Sequence, residues 1–172
     1  MKMVIETQYR ENYGAHDWDG EGECPQYWKC KGGSTYVINN ITDDVLAMAM
    51  EGQYNLDSLI QYSDPYSEEY IIDYTMKEDN AEVGKAWDNP IVLKFIESKQ
   101  RWKCTMVTDN TTEYGFMRKE IVEKVETWFL GPNGERQDHW SFYIMENGDS
   151  GIGSDFVSAW FNLKEKEEAA AA

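Results

Sequence analysis

The hydrophobic positions of this chain fall mainly into short runs with strand character. "MVIETQY" near the start and "EEYIIDYTM" in the middle read as strands, and "NPIVLKFIE" and "RWKCTMVT" as two more. "PQYWKCKGGSTYVI" predicts a hairpin that turns at Gly32-Gly33. "GPNG" followed by "HWSFYIM" predicts another, pairing at least residues 127–130 with 140–145 across Gly131–Gly134. "FMRKEIVEKVETWFL" carries two signals at once. Met117, Ile121, Val122, Val125, Trp128 and Phe129 recur at a helical period, yet β-branched and aromatic residues crowd its second half. Residues 117–126 therefore stay open between helix and strand.

Helical signals are fewer. In "ITDDVLAMAM", Thr42 is placed to cap a helix whose first turn holds Asp43 and Asp44, where the macrodipole favours anions. "SDFVSAWFNLKEKEEAAAA" predicts a C-terminal helix capped by Ser154, with Phe156, Val157, Trp160 and Phe161 on one stripe and residues 165–172 as a fraying tail. No repeat or linker divides the chain. The fold class expected is α+β, one domain over residues 1–172: an antiparallel β-sheet of about six or seven strands packed by two to four helices, the C-terminal one included.

Composition narrows the class. A 172-residue chain that is 41 % hydrophobic and 14 % aromatic is not a disordered one. The first twenty residues are polar and acidic, without a signal-peptide pattern, and the longest apolar run, Val45 to Met50, is too short to cross a bilayer. Cys24, Cys30 and Cys104 are an odd number for a disulfide scaffold. Reduced thiols in a cytoplasm are the expectation.

Charge changes the picture most. The formal net charge is −16, from 32 acidic and 16 basic residues. Such a field argues against nucleic acid and membrane as direct ligands and for a basic protein partner. The acidity also has a location: residues 26–90 sum to −8, and residues 91–140 to zero. A solubilising coat would be more even. The carboxylates Asp43, Asp44, Glu51 and Asp57, with Asp64, Glu68, Glu69 and Asp73, are the candidate partner-binding residues. Tyr62 and Tyr66 among them would supply rigid contact area, as would Tyr54, Tyr70 and Tyr74.

Chemistry-bearing motifs are sparse. "AHDWDGEGECPQYWKC" offers His16, Asp17, Asp19 and Cys24 as metal-ligand candidates, but five residues separate Cys24 from Cys30, and zinc sites use two to four. A calcium loop would need its glycine sixth and a glutamate twelfth; counted from Asp17, Gly20 is fourth and Trp28 twelfth. His16-Asp17 and Asp138-His139 adjoin in sequence, but strand neighbours point to opposite faces. No nucleophile elbow is present. The glycine-rich "ENGDSGIGSD" repels phosphate with its own carboxylates. The basic stretch "KFIESKQRWKC" reads as a partner contact or a solvated strand. No cofactor is expected.

"VIETQYRENYGAHDWDGEGECPQYWKCKGG", within residues 4–38, resembles small acidic proteins carried by tailed bacteriophages. The resemblance implies expression in a bacterial cytoplasm and a protein that blocks a host factor; it assigns no residue a role. The leading expectation is a non-enzymatic acidic inhibitor, similar to a DNA mimic, that occludes the basic nucleic-acid- or nucleotide-binding surface of a host protein. A small-molecule or glycan-binding module or enzyme is the alternative, marked by a concave aromatic pocket. A metal-binding domain is the third, marked by His16 and Cys24 converging with another ligand.

Overall fold

The computed structural model describes residues 1–52, 54–83, 89–109, 121–145, 150–151, 169 and 171. Its contacts cluster into two compact units, Met1–Val92 with Gly131–Glu135, and Leu93–Leu130 with Arg136–Ala172.

The first unit is organised by β1 (Lys2–Asn12). Met3, Val4 and Ile5 are all buried, so both faces of this strand are covered, as an unbroken apolar run requires. β5 (Ser67–Lys77) lies antiparallel along one edge of β1 for its whole length. The other edge is shared. β2 (Trp28–Gly32) pairs with Tyr9–Asn12, and β3 (Thr35–Ile38) pairs with Met3–Glu6. β4 (Tyr62–Ser63) adds two residues to the far edge of β5.

The hairpin expected at Gly32-Gly33 is not formed. β2 and β3 run end to end along the same edge of β1, and the glycines mark a kink between them. At the kink Thr7 N–H donates to Ser34 O at 3.0 Å, and Ser34 N–H donates back to Thr7 Oγ1 at 3.0 Å. Gly32 has φ of 150°, open to a residue without a Cβ. A glycine pair signals a break in an ordinary strand, and only the partner decides whether the chain reverses there. β1 is long enough to hold both halves.

The helices are small. α1 (Asp43–Met50) is capped as expected, Thr42 Oγ1 accepting from Val45 N–H. α2 (Leu56–Ile60) is capped by Asn55 and buries Leu56, Leu59 and Ile60.

The chain leaves the first unit within β6 (Ile91–Ile96). In the second, β7 (Arg101–Asp109), β8 (Ile121–Leu130), β9 (Arg136–Met145) and β10 (Ser150–Gly151) form an antiparallel meander. Residues 121–126 are strand, because β9 pairs along this stretch and β7 joins from Glu123 onward; 117–120 lie outside the described residues. The 131–134 turn is formed as read, with Gly134 N–H bonded to Gly131 O, but residues 127–130 pair with 136–140, and 141–145 pair farther back along β8. Trp102, Cys104 and Phe129 fill this unit's core.

The α+β expectation is thereby corrected. The fold is mostly β: ten strands against two short α-helices among the described residues. Two to four helices packing on a six- or seven-stranded sheet are not what holds it. Strands pair over long sequence separations and leave helices a marginal role. The C-terminal helix expected from Ser154 lies outside the described residues.

Candidate interaction surface

The turn between β4 and β5 is built by one aspartate. Asp64 Oδ1 accepts from Tyr66 N–H at 2.7 Å and Ser67 N–H at 2.8 Å, an Asx turn. This holds Tyr66 outward, 55 % exposed, with Tyr62 46 % exposed nearby on β4. The turn is anchored from below by Asn12, the wholly buried last residue of β1. Its amide donates to Pro65 O at 3.0 Å and Pro25 O at 2.9 Å, and accepts from Gly14 N–H at 3.0 Å and Tyr27 N–H at 2.8 Å. Its own backbone N–H bonds to Tyr66 O. One side chain thus joins the long loop after β1 to the β4–β5 turn. Nothing in the spacing of the sequence marks Asn12 for this.

Two shallow depressions flank Gln61 on this side. One, about 350 Å³, is lined by Gln61, Tyr62, Ser63, Glu68, Glu69 and Tyr70. The other, about 460 Å³, is lined by Asp57, Gln61, Ile71, Ile72, Asp73 and Tyr74. Tyr62, Glu68, Glu69, Asp57 and Asp73 are therefore brought together, with Asp64 and Tyr66 at the adjoining turn. Both hollows are open rather than enclosing.

The carboxylates there are not equivalent. Glu68 pairs with Arg10, whose guanidinium lies 4.9 Å from the Trp28 ring centroid and 5.8 Å from that of Tyr70. Glu69 is turned inward and accepts from Thr7 Oγ1 at 2.6 Å and from the Tyr36 hydroxyl at 3.3 Å. Asp57 accepts from the Tyr74 hydroxyl; burial, and then this bond, hold the Tyr74 phenol well above its ordinary range. Asp73 is exposed and, among the described residues, takes only the neighbouring Thr75 hydroxyl. Asp43 and Asp44 sit in the first turn of α1, and Glu51 is its C-cap. Asp43, Asp44, Glu51, Asp64 and Asp73 have no ion pair among the described residues.

Three cations of the first unit, Arg10, Lys29 and Lys31, lie against aromatic rings, whereas Lys2 donates to Ala81 O at 2.6 Å and Lys77 to Glu82 O at 3.3 Å. Lys29 lies 5.5 Å from the Tyr13 ring and 5.3 Å from Tyr27, and Lys31 lies 4.9 Å from Tyr13. In the second unit Lys99 and Arg101 lie over Phe129, and Arg136 over Trp128. Asp138 pairs with Arg101 at 2.8 Å, whereas His139 faces Glu126 at 3.9 Å. The sequence neighbours Asp138 and His139 thus serve different partners.

The metal candidates do not converge. His16 meets the Tyr13 ring edge-on, Asp17 and Asp19 are exposed, and Cys24 Sγ lies 3.6 Å from Asn12 Nδ2. Among the described residues no three His, Cys, Asp or Glu side chains are grouped to hold an ion.

The thiols differ sharply in surroundings. Burial pushes the Cys104 thiol up to about 12, while Cys30 is exposed and Cys24 half-buried. Since the thiolate is the reacting species, Cys24 and Cys30 should react with a disulfide reagent near pH 8 in the native protein. Cys104 should react only on unfolding; three rapidly titrating thiols in the native state would contradict this burial.

No protein-family model, curated protein or solved structure matches the chain.

Proposed function

We propose that this is a non-enzymatic acidic interaction protein. Its α2–β4–β5 face occludes a basic nucleic-acid- or nucleotide-binding surface on another protein. In the bacterial setting that the phage resemblance implies, the partner is a host factor. The observation that carries the reading is the uneven bookkeeping of charge. Arg10, Lys29 and Lys31 lie on aromatic rings, Arg10 also on Glu68, while Asp43, Asp44, Glu51, Asp64 and Asp73 have no ion pair among the described residues. Asp64 sits in the turn that presents Tyr66, and Asp73 in the hollow it lines with Tyr74. Glu51 adds to it: a carboxylate at a helix C-terminus works against the macrodipole, a cost that attraction to a cationic partner offsets.

Duplex DNA carries a charge about every 1.7 Å of axis, and its binders answer with Lys and Arg. Exposed carboxylates flanked by tyrosine offer such a binder negative charge together with desolvatable contact area. The test is capture on immobilised protein from bacterial lysate, eluted first with double-stranded DNA and then with salt. A nucleic-acid-handling protein displaced by DNA, and no longer captured by the Tyr62→Ala/Tyr66→Ala variant, is the expected result. Retention through both elutions, or capture of nothing, would remove the proposal.

Reversing Asp43 and Asp44 to Lys should weaken capture and also cost stability. Each carboxylate favours its own helix N-terminus by about 0.3–1 kcal/mol, so a thermal melt should fall alongside binding. An unchanged melt would show that α1 does not use them.

A further inference from the structure

β4 covers β5 only at Glu68 and Glu69. The next outward N–H, that of Ile71, is taken by Gln61 Oε1 at 2.9 Å. Beyond it no strand pairs with this edge among the described residues. β1 tells which groups face outward. Thr7 N–H goes to Ser34 O, and Asn12 N–H to Tyr66 O, so even-numbered β1 residues turn their backbone towards β5. Val4 and Glu6 therefore pair with the inward groups of Thr75 and Asp73. That leaves the N–H and C=O of Tyr74 and Met76 on the open edge. Asp73, Thr75 and Lys77 share one face of the strand; Tyr74, 36 % exposed, and Met76, 42 % exposed, share the other.

We propose that this edge is occupied by a second copy of the chain, β5 against β5, about a two-fold axis through Thr75. Antiparallel pairing must oppose outward residues with outward residues, which leaves three registers. Tyr74 opposite itself puts Asp73 against Thr75 and Lys77 against Ile71. Met76 opposite itself turns Asp73 towards Asp79, a like-charge pair. Tyr74 opposite Met76 alone sets Asp73 of each copy against Lys77 of the other, and lays each ring beside a thioether. The edge is self-complementary in that one register, as an isologous interface requires. Among the described residues Lys77 holds only Glu82 O, at 3.3 Å.

The net charge of −16 on each copy opposes association. Salt screens that long-range repulsion and leaves the backbone ladder intact, so the dimer tightens as salt rises. Binding of a basic partner by the acidic face weakens as salt rises. The dimer and the function proposed above can therefore fail separately.

The full-length chain is to be followed by sedimentation up to about 0.5 mM, because so short a ladder makes a weak interface. A dimer is expected, tighter at high salt. Asp73→Lys should weaken it at least about tenfold although it lowers the net charge, and Asp73→Lys with Lys77→Asp should restore it to within about threefold. Thr75→Cys gives a covalent check. At the axis the two Cα atoms stand about 4.5 Å apart, within disulfide reach, so with Cys24 and Cys30 both changed to Ser, mild oxidation should cross-link this variant and not Thr105→Cys or the parent carrying only those two changes. Circular dichroism on each variant confirms the fold. A monomer throughout, as expected if the edge instead receives a basic segment of another protein, overturns the proposal. So does a dimer indifferent to Asp73→Lys.

Discussion

Asn12→Ala should lower the stability of the first unit by about 3 kcal/mol, at roughly 1 kcal/mol for each group it leaves without a partner, less some relief from water. The four groups are Pro25 O, Pro65 O, Gly14 N–H and Tyr27 N–H. Asn12→Asp should not rescue it. The carboxylate keeps both acceptor bonds but faces two carbonyl oxygens with nothing to donate. A denaturant titration measures the effect, and a loss below about 1 kcal/mol would mean that water replaces the amide without penalty. The same change should speed proteolysis near Gly20–Gly22, since the loop loses its tie to β1. Gly14→Ala offers an independent probe of the same junction, because a Cβ there would stand 2.4 Å from Pro25 O.

Trp102→Ala should cost about 3–5 kcal/mol, the usual loss for emptying a large aromatic site. Trp102 is wholly buried, pairs across strands with Leu130, and meets Phe95 edge-on at 5.4 Å between ring centroids. Its indole N–H is buried without a hydrogen-bond partner among the described residues. Trp102→Phe should therefore cost far less, about 1 kcal/mol, because removing an unpaired donor offsets part of the lost volume. Equal losses for the two variants in denaturant titrations would show that the N–H is satisfied and that the ring is held for it.

Much of the secondary structure was legible because local rules decide it. β-branched runs marked β1 and β5, Thr42 marked the start of α1, and "GPNG" marked the β8–β9 turn. The Gly32-Gly33 pair misled because glycine specifies freedom and not direction. Residues 121–126 satisfied two periods at once, and flanking strands chose between them. The candidate site was legible as charge and not as geometry. Acidic residues look alike in sequence, yet Glu69 serves Thr7 and Tyr36 inside, Glu68 is neutralised by Arg10, and Asp73 stands outside.

By itself, then, the sequence determined most of the strand-forming runs, how α1 is capped, and that residues 43–90 are rich in uncompensated acid. Each rests on interactions reaching no farther than about four residues along the chain. The tertiary structure alone decided that β2 and β3 share one edge of β1, that Asn12 bridges two loops, and that no strand among the described residues pairs with the outer edge of β5 beyond Glu69. Those depend on residues such as Gln8 and Tyr70 meeting across sixty-odd positions. Strand pairing is long-range and needs only a free ladder of N–H and C=O groups, which every residue but proline supplies. The choice of partner is therefore written in the packing of the whole and in no single segment.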